Sequence, residues 1–435
     1  MKAVIMAGGK GTRLLELTND EIPKPMAQVA GKPILLWQIE CLKRNGITDI
    51  CLVVGHLGEK IEDFFGDGTK FGVTLSYFFE KKPLGSAGAL AHIKHFLSGD
   101  YFLLVYGDLI FDININQMEE FHKQKESYAT LFVHPNSHPF DSDLVILNSE
   151  SRVMGYDSKK NVRDYWYENI VNAGFFIISI EICSKIDENR KTDLEKDLIF
   201  NNCGKNSDIF GYMSSEYIKD VGTTDRILQV ESDIQNGVVA AKNLTLPQKC
   251  IFFDRDGTIN KHKGLIYRVD DMELEETAGE AVRKVNQSRF ITGIITNQPV
   301  IARGLCEVED VEEIHRKMTT LLGRDGAYFD FISYCPHHPD KGYPGEKPAY
   351  KIPCKCRKPE IGMITKAEKA MNIDLSRSWL IGDTTRDIQT AKNAGIRSIL
   401  VKTGEAGMDK AFVAEPDMVC DDVLSAVEFV LNQEI

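Results

Sequence analysis

The sequence predicts an α/β protein built as two domains. Short apolar runs alternate with amphipathic stretches along the whole chain, the rhythm of strands and helices in sheets covered on both faces. At 435 residues the chain is too long for one comfortable hydrophobic core. The rhythm breaks once, near Asn243–Gln248, and restarts with a fresh strand. A composition of 43% hydrophobic and 27% charged residues excludes a disordered, collagen-like or coiled-coil chain.

The elements follow in order. In the first half, strands are expected at Lys2–Met6, Ile50–Val54, Tyr101–Tyr106, Ala129–Val133 and Gly174–Ile178, all read as members of parallel sheets. Between the first two, Leu35, Ile39 and Leu42 mark one face of a helix that Asn45-Gly46 stops. The second half opens with a strand at Lys249–Phe253 and continues with Phe290–Ile295, Trp379–Ile381 and Arg397–Val401. Its clearest helix spans Val308–Leu322, with Val311, Ile314, Met318 and Leu321 on the apolar face. No repeat of 20 to 50 residues is visible, so the halves, 1–245 and 246–435, are different domains.

With 64 acidic and 52 basic residues the formal charge is −12, which argues against nucleic acid as a partner. The apolar start, Met1 to Ala7, is too short for a signal peptide, and no stretch is long enough to span a membrane, so a cytoplasmic protein is expected. Ten cysteines in such a compartment do not suggest a disulfide framework. Three of them, Cys335, Cys354 and Cys356, crowd together and need a separate explanation.

The first strand runs into Ala7-Gly8-Gly9-Lys10-Gly11-Thr12-Arg13-Leu14, and Pro23-Lys24-Pro25-Met26 follows shortly after. Glycines let backbone N–H groups approach an anion, and Lys and Arg neutralise it. The spacing matches neither a P-loop nor a dinucleotide-binding turn. It resembles the signature of the sugar-1-phosphate nucleotidyltransferases (nucleotide-sugar pyrophosphorylases). Further matches come in family order: Pro83-Leu84-Gly85-Ser86-Ala87-Gly88, Gly107-Asp108, Asn172-Ala173-Gly174 and Asp220-Val221-Gly222-Thr223.

The resemblance implies a Rossmann-like, GT-A-like domain in which a sugar 1-phosphate attacks the α-phosphorus of a nucleoside triphosphate and pyrophosphate leaves. Two anions must meet, so cationic clamps and a metal matter more than proton shuttling. By this resemblance Arg13 and Lys24 are catalytic clamps, and Gly8, Gly9, Gly11, Thr12, Gly85 and Ser86 bind nucleotide. Asn172 and Gly174 line the sugar pocket, and Asp108 and Asp220 hold Mg²⁺. Ser158-Lys159-Lys160 stands where many members show Glu-Lys-Pro, so either Lys159 or Lys160 is expected at the sugar phosphate.

The strand Lys249–Phe253 ends in Asp254-Arg255-Asp256-Gly257-Thr258. Two carboxylates at a strand end can share Mg²⁺ while doing different work. The string looks like the first motif of the haloacid-dehalogenase (HAD) phosphohydrolases, which implies a HAD-like Rossmannoid domain. By that resemblance Asp254 is the nucleophile and Asp256 the general acid and base. Thr296, Asn297 and Gln298 meet the phosphoryl oxygens, Lys358 offsets the charge, and Asp254, Asp256 and Asp383 bind Mg²⁺, with Asp387 in support. Cys335, His337, Cys354 and Cys356 offer three thiolates and an imidazole, the closed set that structural Zn²⁺ prefers. The Gly- and Pro-bearing residues between them cannot bury a core, so a zinc staple is expected to fix the loop that ends at Arg357 and Lys358. His338 is the less suited ligand by spacing.

Cys-Pro-His-His-Pro, Cys-x-Cys-Arg-Lys-Pro and Ile301-Ala302-Arg303-Gly304 are most similar to the D-glycero-D-manno-heptose-1,7-bisphosphate 7-phosphatases, which makes Arg303 and Arg357 substrate contacts. Pro299-Val300 departs from the Ser-Gly usual there. A phosphatase that removes the distal phosphate leaves a sugar 1-phosphate for the transferase. The expectation is a bifunctional enzyme of nucleotide-heptose synthesis using Mg²⁺ at both sites, structural Zn²⁺ and GTP as the expected donor. A homo-oligomer is compatible with it. The alternatives are a fusion acting on another phosphorylated sugar or polyol with another triphosphate, its phosphatase akin to the histidinol-phosphate enzymes, or a phosphatase regulated by a silent nucleotide-sugar-binding domain.

Overall fold

The computed structural model describes residues 1–9, 21–188 and 190–433. It divides into two compact units. The first holds Met1–His134, Val145–Asp157 and Asn172–Asn243; the second holds Pro135–Leu144, Ser158–Val171 and Leu244–Ile435.

In the first unit the central sheet runs Tyr101–Tyr106, Ala3–Met6, Asp49–Val54, Thr74–Phe79, and these four strands are parallel. Val171–Ser179 then pairs with Tyr101–Tyr106 antiparallel, so the sheet is mixed and not parallel throughout. The reason lies in its burial: Gly174 to Ile178 are all buried, and an apolar run covered on both faces carries no mark of direction. The helix Ile34–Arg44 buries Leu35, Ile39 and Leu42 against the sheet, and Ile34 in a second cluster with Ile110 and Tyr217. It ends where Asn45 turns its side-chain N–H back on Cys41 O (2.9 Å) and Gly46 takes a φ of 78°. Gln38, fully buried in this helix, donates to Tyr106 O (2.9 Å) and Leu109 O (2.8 Å) and so fixes the backbone on both sides of Gly107-Asp108.

The second unit carries a parallel sheet in the order Phe331–Cys335, Phe290–Asn297, Lys249–Phe253, Trp379–Gly382, Arg397–Val401, Met418–Cys420. Asp254, Thr296 to Gln298, Cys335 and Asp383 all stand at carboxyl ends of these strands, the edge where open α/β sheets bind ligands. The helix Val308–Arg324 starts with a capping box of Glu307 and Asp310 and buries Val311, Ile314, Met318 and Leu322. On its far side lie the two segments contributed by the first half of the chain. Thr320 Oγ1 accepts from Tyr167 N–H (3.0 Å), and a Cβ on Gly323 would stand 2.5 Å from Pro139 Cγ. Among the described residues no helix is long and apolar enough to cross a membrane.

Candidate active sites

In the first unit a cleft of about 440 Å³ is lined by Met6 to Gly9, Lys24, Pro25, Glu80, Pro83, Gly85, Ser86, Tyr106 to Asp108 and Lys191. It therefore gathers Gly8, Gly9, Lys24, Gly85, Ser86 and Asp108, six of the expected residues, from four separate stretches of chain. Gly11, Thr12 and Arg13 lie outside the described residues, and neither Lys159 nor Lys160 is among the lining. Gly85 has a φ of 85°, and a Cβ there would come within 2.4 Å of Thr192 O. Only glycine lets the Pro83–Ser86 turn lie this close to that carbonyl. Ser86 Oγ accepts from Leu194 N–H (2.8 Å), tying the turn further. Gly174, with a φ of 75°, backs the Tyr106 ring, 2.6 Å from where its Cβ would be. Asn172 donates to Glu195 Oε1 (2.6 Å) and accepts from Gly174 N–H (3.3 Å).

The two residues expected to hold metal are neighbours through their backbones, and of the two Asp108 lines the cleft. Asp220 ends the strand Tyr217–Asp220 opposite Leu109, and Val221 N–H donates to Asp108 O (2.9 Å). Each is paired with a cation: Lys24 Nζ donates to Asp108, and the Arg226 guanidinium donates to both oxygens of Asp220.

In the second unit, oxygens of Asp254, Asp383 and Asp387 converge within 4.8 Å. Lys358 Nζ bridges Asp254 (2.7 Å) and Asp387 (2.5 Å). Burial and then the neighbouring carboxylates push Asp254 up to about 6 and Asp383 up to about 9. Asp383 Oδ1 is fully buried and has no hydrogen-bond partner among the described residues, an orphaned acceptor in an acidic cluster. A hard cation fits there: it would satisfy that oxygen and offset three crowded charges. Asp256, expected as a ligand beside Asp254 and Asp383, is not in the converging set, and Asp387, expected only in support, stands in it. Its carboxylate takes hydrogen bonds from Arg255 (2.9 Å), Gln298 Nε2 (2.8 Å) and Asn260 Nδ2 (3.1 Å), which hold it below the ordinary carboxylate range despite burial. Gln298 also donates to Thr296 Oγ1 (3.0 Å), and Asn297 exchanges two hydrogen bonds with the backbone of Lys358. These amides position the lysine and the second aspartate.

Cys335, His337, Cys354 and Cys356 converge as a second candidate metal centre. The three sulfurs lie 3.3–3.5 Å apart, with His337 Nδ1 3.4 Å from Cys356 Sγ and 3.7 Å from Cys335 Sγ. A tetrahedral Zn–S₃N centre needs ligand separations of about 3.8 Å, so a small expansion accommodates the ion. His338 turns away, its Nδ1 accepting from Asp340 N–H (3.2 Å). Arg357 donates to His337 O (3.2 Å), and Arg303 stacks 4.6 Å over the Tyr343 ring.

The nucleotidyl transferase family matches residues 2–237, more than half the chain, and a HAD-hydrolase-like family matches residues 355–426. A D-glycero-beta-D-manno-heptose-1,7-bisphosphate 7-phosphatase of Haemophilus ducreyi is 36% identical over 182 residues, covering 41% of this chain and 94% of that protein. The chain belongs to both families. For the nucleotidyltransferase half, a UTP–glucose-1-phosphate uridylyltransferase of Synechocystis is 33% identical over 211 residues, covering 46% of this chain and 54% of that protein. A mannose-1-phosphate guanyltransferase beta-B of Xenopus laevis is 33% identical over 226 residues, covering 51% and 61%. The chain thus spans little more than half the length of these transferase relatives.

The nucleotidyltransferase and phosphatase halves both hold site residues that the motifs did not reveal. Glu80 and Tyr106 line the transferase cleft, and Gln38 supports it. In the phosphatase, Arg255 is fully buried and shared between Asp256 and His315, whose Nε2 lies 3.1 Å from Arg255 Nη1. Burial and then Arg255 hold His315 down to about 3, so it accepts from the guanidinium as a neutral ring. Arg255 was visible inside the Asp-x-Asp string. Its partner, 60 residues on, was not.

Proposed function

We propose that the chain is a bifunctional enzyme of nucleotide-heptose synthesis. Residues 246–435 remove the 7-phosphate of D-glycero-D-manno-heptose 1,7-bisphosphate, and residues 1–245 transfer a nucleotidyl group from GTP to the heptose 1-phosphate, releasing pyrophosphate, in the cytoplasm. The observation that supports this best is the coexistence of two equipped sites in one chain. A phosphatase that cut at the anomeric carbon would destroy the substrate of its own partner.

In the phosphatase, a carboxylate oxygen of Asp254 attacks phosphorus and the sugar oxygen leaves. Lys358 offsets the charge gathering between Asp254 and Asp387. Asp256, oriented by Arg255 and Gln298, gives the leaving oxygen its proton, taken up with an anion whose second ionisation lies near 6. It then takes a proton from the water that hydrolyses the aspartyl-phosphate. Mg²⁺ held by Asp254 and Asp383 would neutralise phosphoryl charge. Zn²⁺ on Cys335, His337, Cys354 and Cys356 would fix the loop leading into Arg357 and Lys358. In the transferase, Lys24, with Arg13, steadies the phosphates while the sugar-phosphate oxygen attacks the α-phosphorus. Asp108 and Asp220 would hold the Mg²⁺ that screens the two anions from each other. Asn172 and Gly174 serve the sugar side through the wall that Tyr106 forms.

The test is a panel of sugar bisphosphates and four nucleoside triphosphates with product masses determined. Heptose bisphosphate with GTP should yield GDP-heptose, phosphate and pyrophosphate. Asp254→Asn should stop phosphate release and spare pyrophosphate release from heptose 1-phosphate. Loss of both activities in that variant would contradict two independent sites.

A further inference from the structure

We infer that His315 is a positioning residue for proton transfer in the phosphatase: it holds Arg255, and Arg255 holds Asp256. The inference rests on residues 246–435 being a phosphatase in which Asp256 handles the proton. Arg255 is fully buried between the two aspartates of its string. Its Nε and Nη2 donate to Asp256 Oδ1 (3.1 and 2.9 Å), and Nη2 reaches Oδ2 as well (3.0 Å). That leaves Nη1, which among the described residues donates to His315 Nε2 at 3.1 Å. A guanidinium offers donors only and keeps its charge, so Nε2 is the bare nitrogen of a neutral imidazole. A buried donor without an acceptor is costly, and His315 supplies the acceptor that pins the far side of the fork. The ring is itself fixed. It lies on the buried face of the helix Val308–Arg324, 5.3 Å from the ring of Tyr334. Tyr334 pairs in register with Thr296, whose Oγ1 accepts from the same Gln298 amide that donates to Asp256 Oδ2.

In the first step an Asp254 oxygen bonds phosphorus as the bond from phosphorus to the sugar oxygen breaks. The proton that arrived with the phosphate monoanion passes through Asp256 to that departing oxygen. In the second step water attacks phosphorus and gives its proton to Asp256, and Asp254 leaves as a carboxylate. Both steps need an Asp256 oxygen aimed at the reacting oxygen, and a side chain free to swing loses that aim. A leaving group that departs as a stable anion, such as p-nitrophenolate, needs no proton in the first step. Dependence on His315 therefore follows the leaving group, which a general loss of stability would not do.

The experiment follows leaving-group release by the full chain in single turnovers, enzyme in excess, from heptose 1,7-bisphosphate and from p-nitrophenyl phosphate. His315→Leu keeps the bulk and removes the acceptor; His315→Gln returns an acceptor oxygen. The Leu variant should form heptose 1-phosphate about tenfold more slowly or worse, while nitrophenolate release changes by less than about twofold. The phosphate from the nitrophenyl ester should stay on the protein, because the second step still lacks a placed base. The Gln variant should recover both reactions. Equal slowing for the two leaving groups, no slowing for either, or equal losses in the Leu and Gln variants would overturn the inference and leave the phosphatase reading standing. Should the Leu variant not fold, His315→Ala with and without added imidazole makes the same comparison, imidazole restoring heptose 1-phosphate formation if the inference holds. A native chain that releases neither leaving group would overturn the phosphatase reading and the inference with it.

Discussion

Lys358 is the residue on which the phosphatase site turns. It is 3% exposed and holds Asp254 and Asp387 together beside Asp383. Lys358→Met removes the cation from an acidic cluster that burial already disfavours. Breaking such a pair costs about 3–5 kcal/mol, so phosphate release should vanish and the melting temperature fall. Added Mg²⁺ should restore part of that temperature, more than it raises the native protein's, because a ligand of the folded state stabilises by mass action. A variant insensitive to Mg²⁺ would count against a cation site at Asp383. His315 gives a pH prediction. Its folded value of about 3 lies below the unfolded 6.5, so its stabilising contribution is complete above pH 6.5 and is lost as pH falls towards 3. His315→Asn should flatten the fall in melting temperature between pH 6.5 and 4, and an unchanged slope would refute this. Residues in contiguous strings, such as Asp254-Arg255-Asp256 or Cys354-Lys355-Cys356, were legible because one stretch of chain carries the chemistry. Gln38, Glu80 and His315 were not, because each acts on partners that only the fold brings near.

Elements were legible as far as their burial pattern is periodic. The helix expected at Val308–Leu322 runs Val308–Arg324, and the strand expected at Arg397–Val401 has those same ends. Strand direction was not legible, since Val171–Ser179 reads as one more apolar run and pairs antiparallel. The loop carrying the Cys and His ligands shows a further dependence hidden from the sequence. Gly304, at a φ of 69°, packs so closely that a Cβ would stand 1.7 Å from Gly345 O, and Lys347 N–H donates to Ala302 O (3.0 Å). Gly304→Ala should therefore loosen this loop while leaving all four Cys and His ligands in place. The expected result is a destabilisation of about 1–3 kcal/mol with faster loss of zinc to a chelator. Unchanged zinc retention would show that the loop is held by its ligands alone.

At the scale of the molecule, the two-domain expectation is matched by two compact units, but the division is not a single cut. Pro135–Leu144 and Ser158–Val171 belong with the second unit, where Tyr167, Leu144 and Val171 form a small apolar cluster and Tyr167 bonds Thr320. A fragment of residues 246–435 lacks these segments and uncovers Thr320, now 2% exposed. Calorimetry should find that fragment melting below the corresponding transition of the full chain, and an equal midpoint would show the segments to be dispensable. Their position in the chain also sets an order of events as the protein is made. Tyr167 leaves the ribosome 153 residues ahead of Thr320, a wait of roughly 8–30 s at ordinary elongation rates. The nascent transferase half therefore carries these segments through that interval before their partner helix has been made.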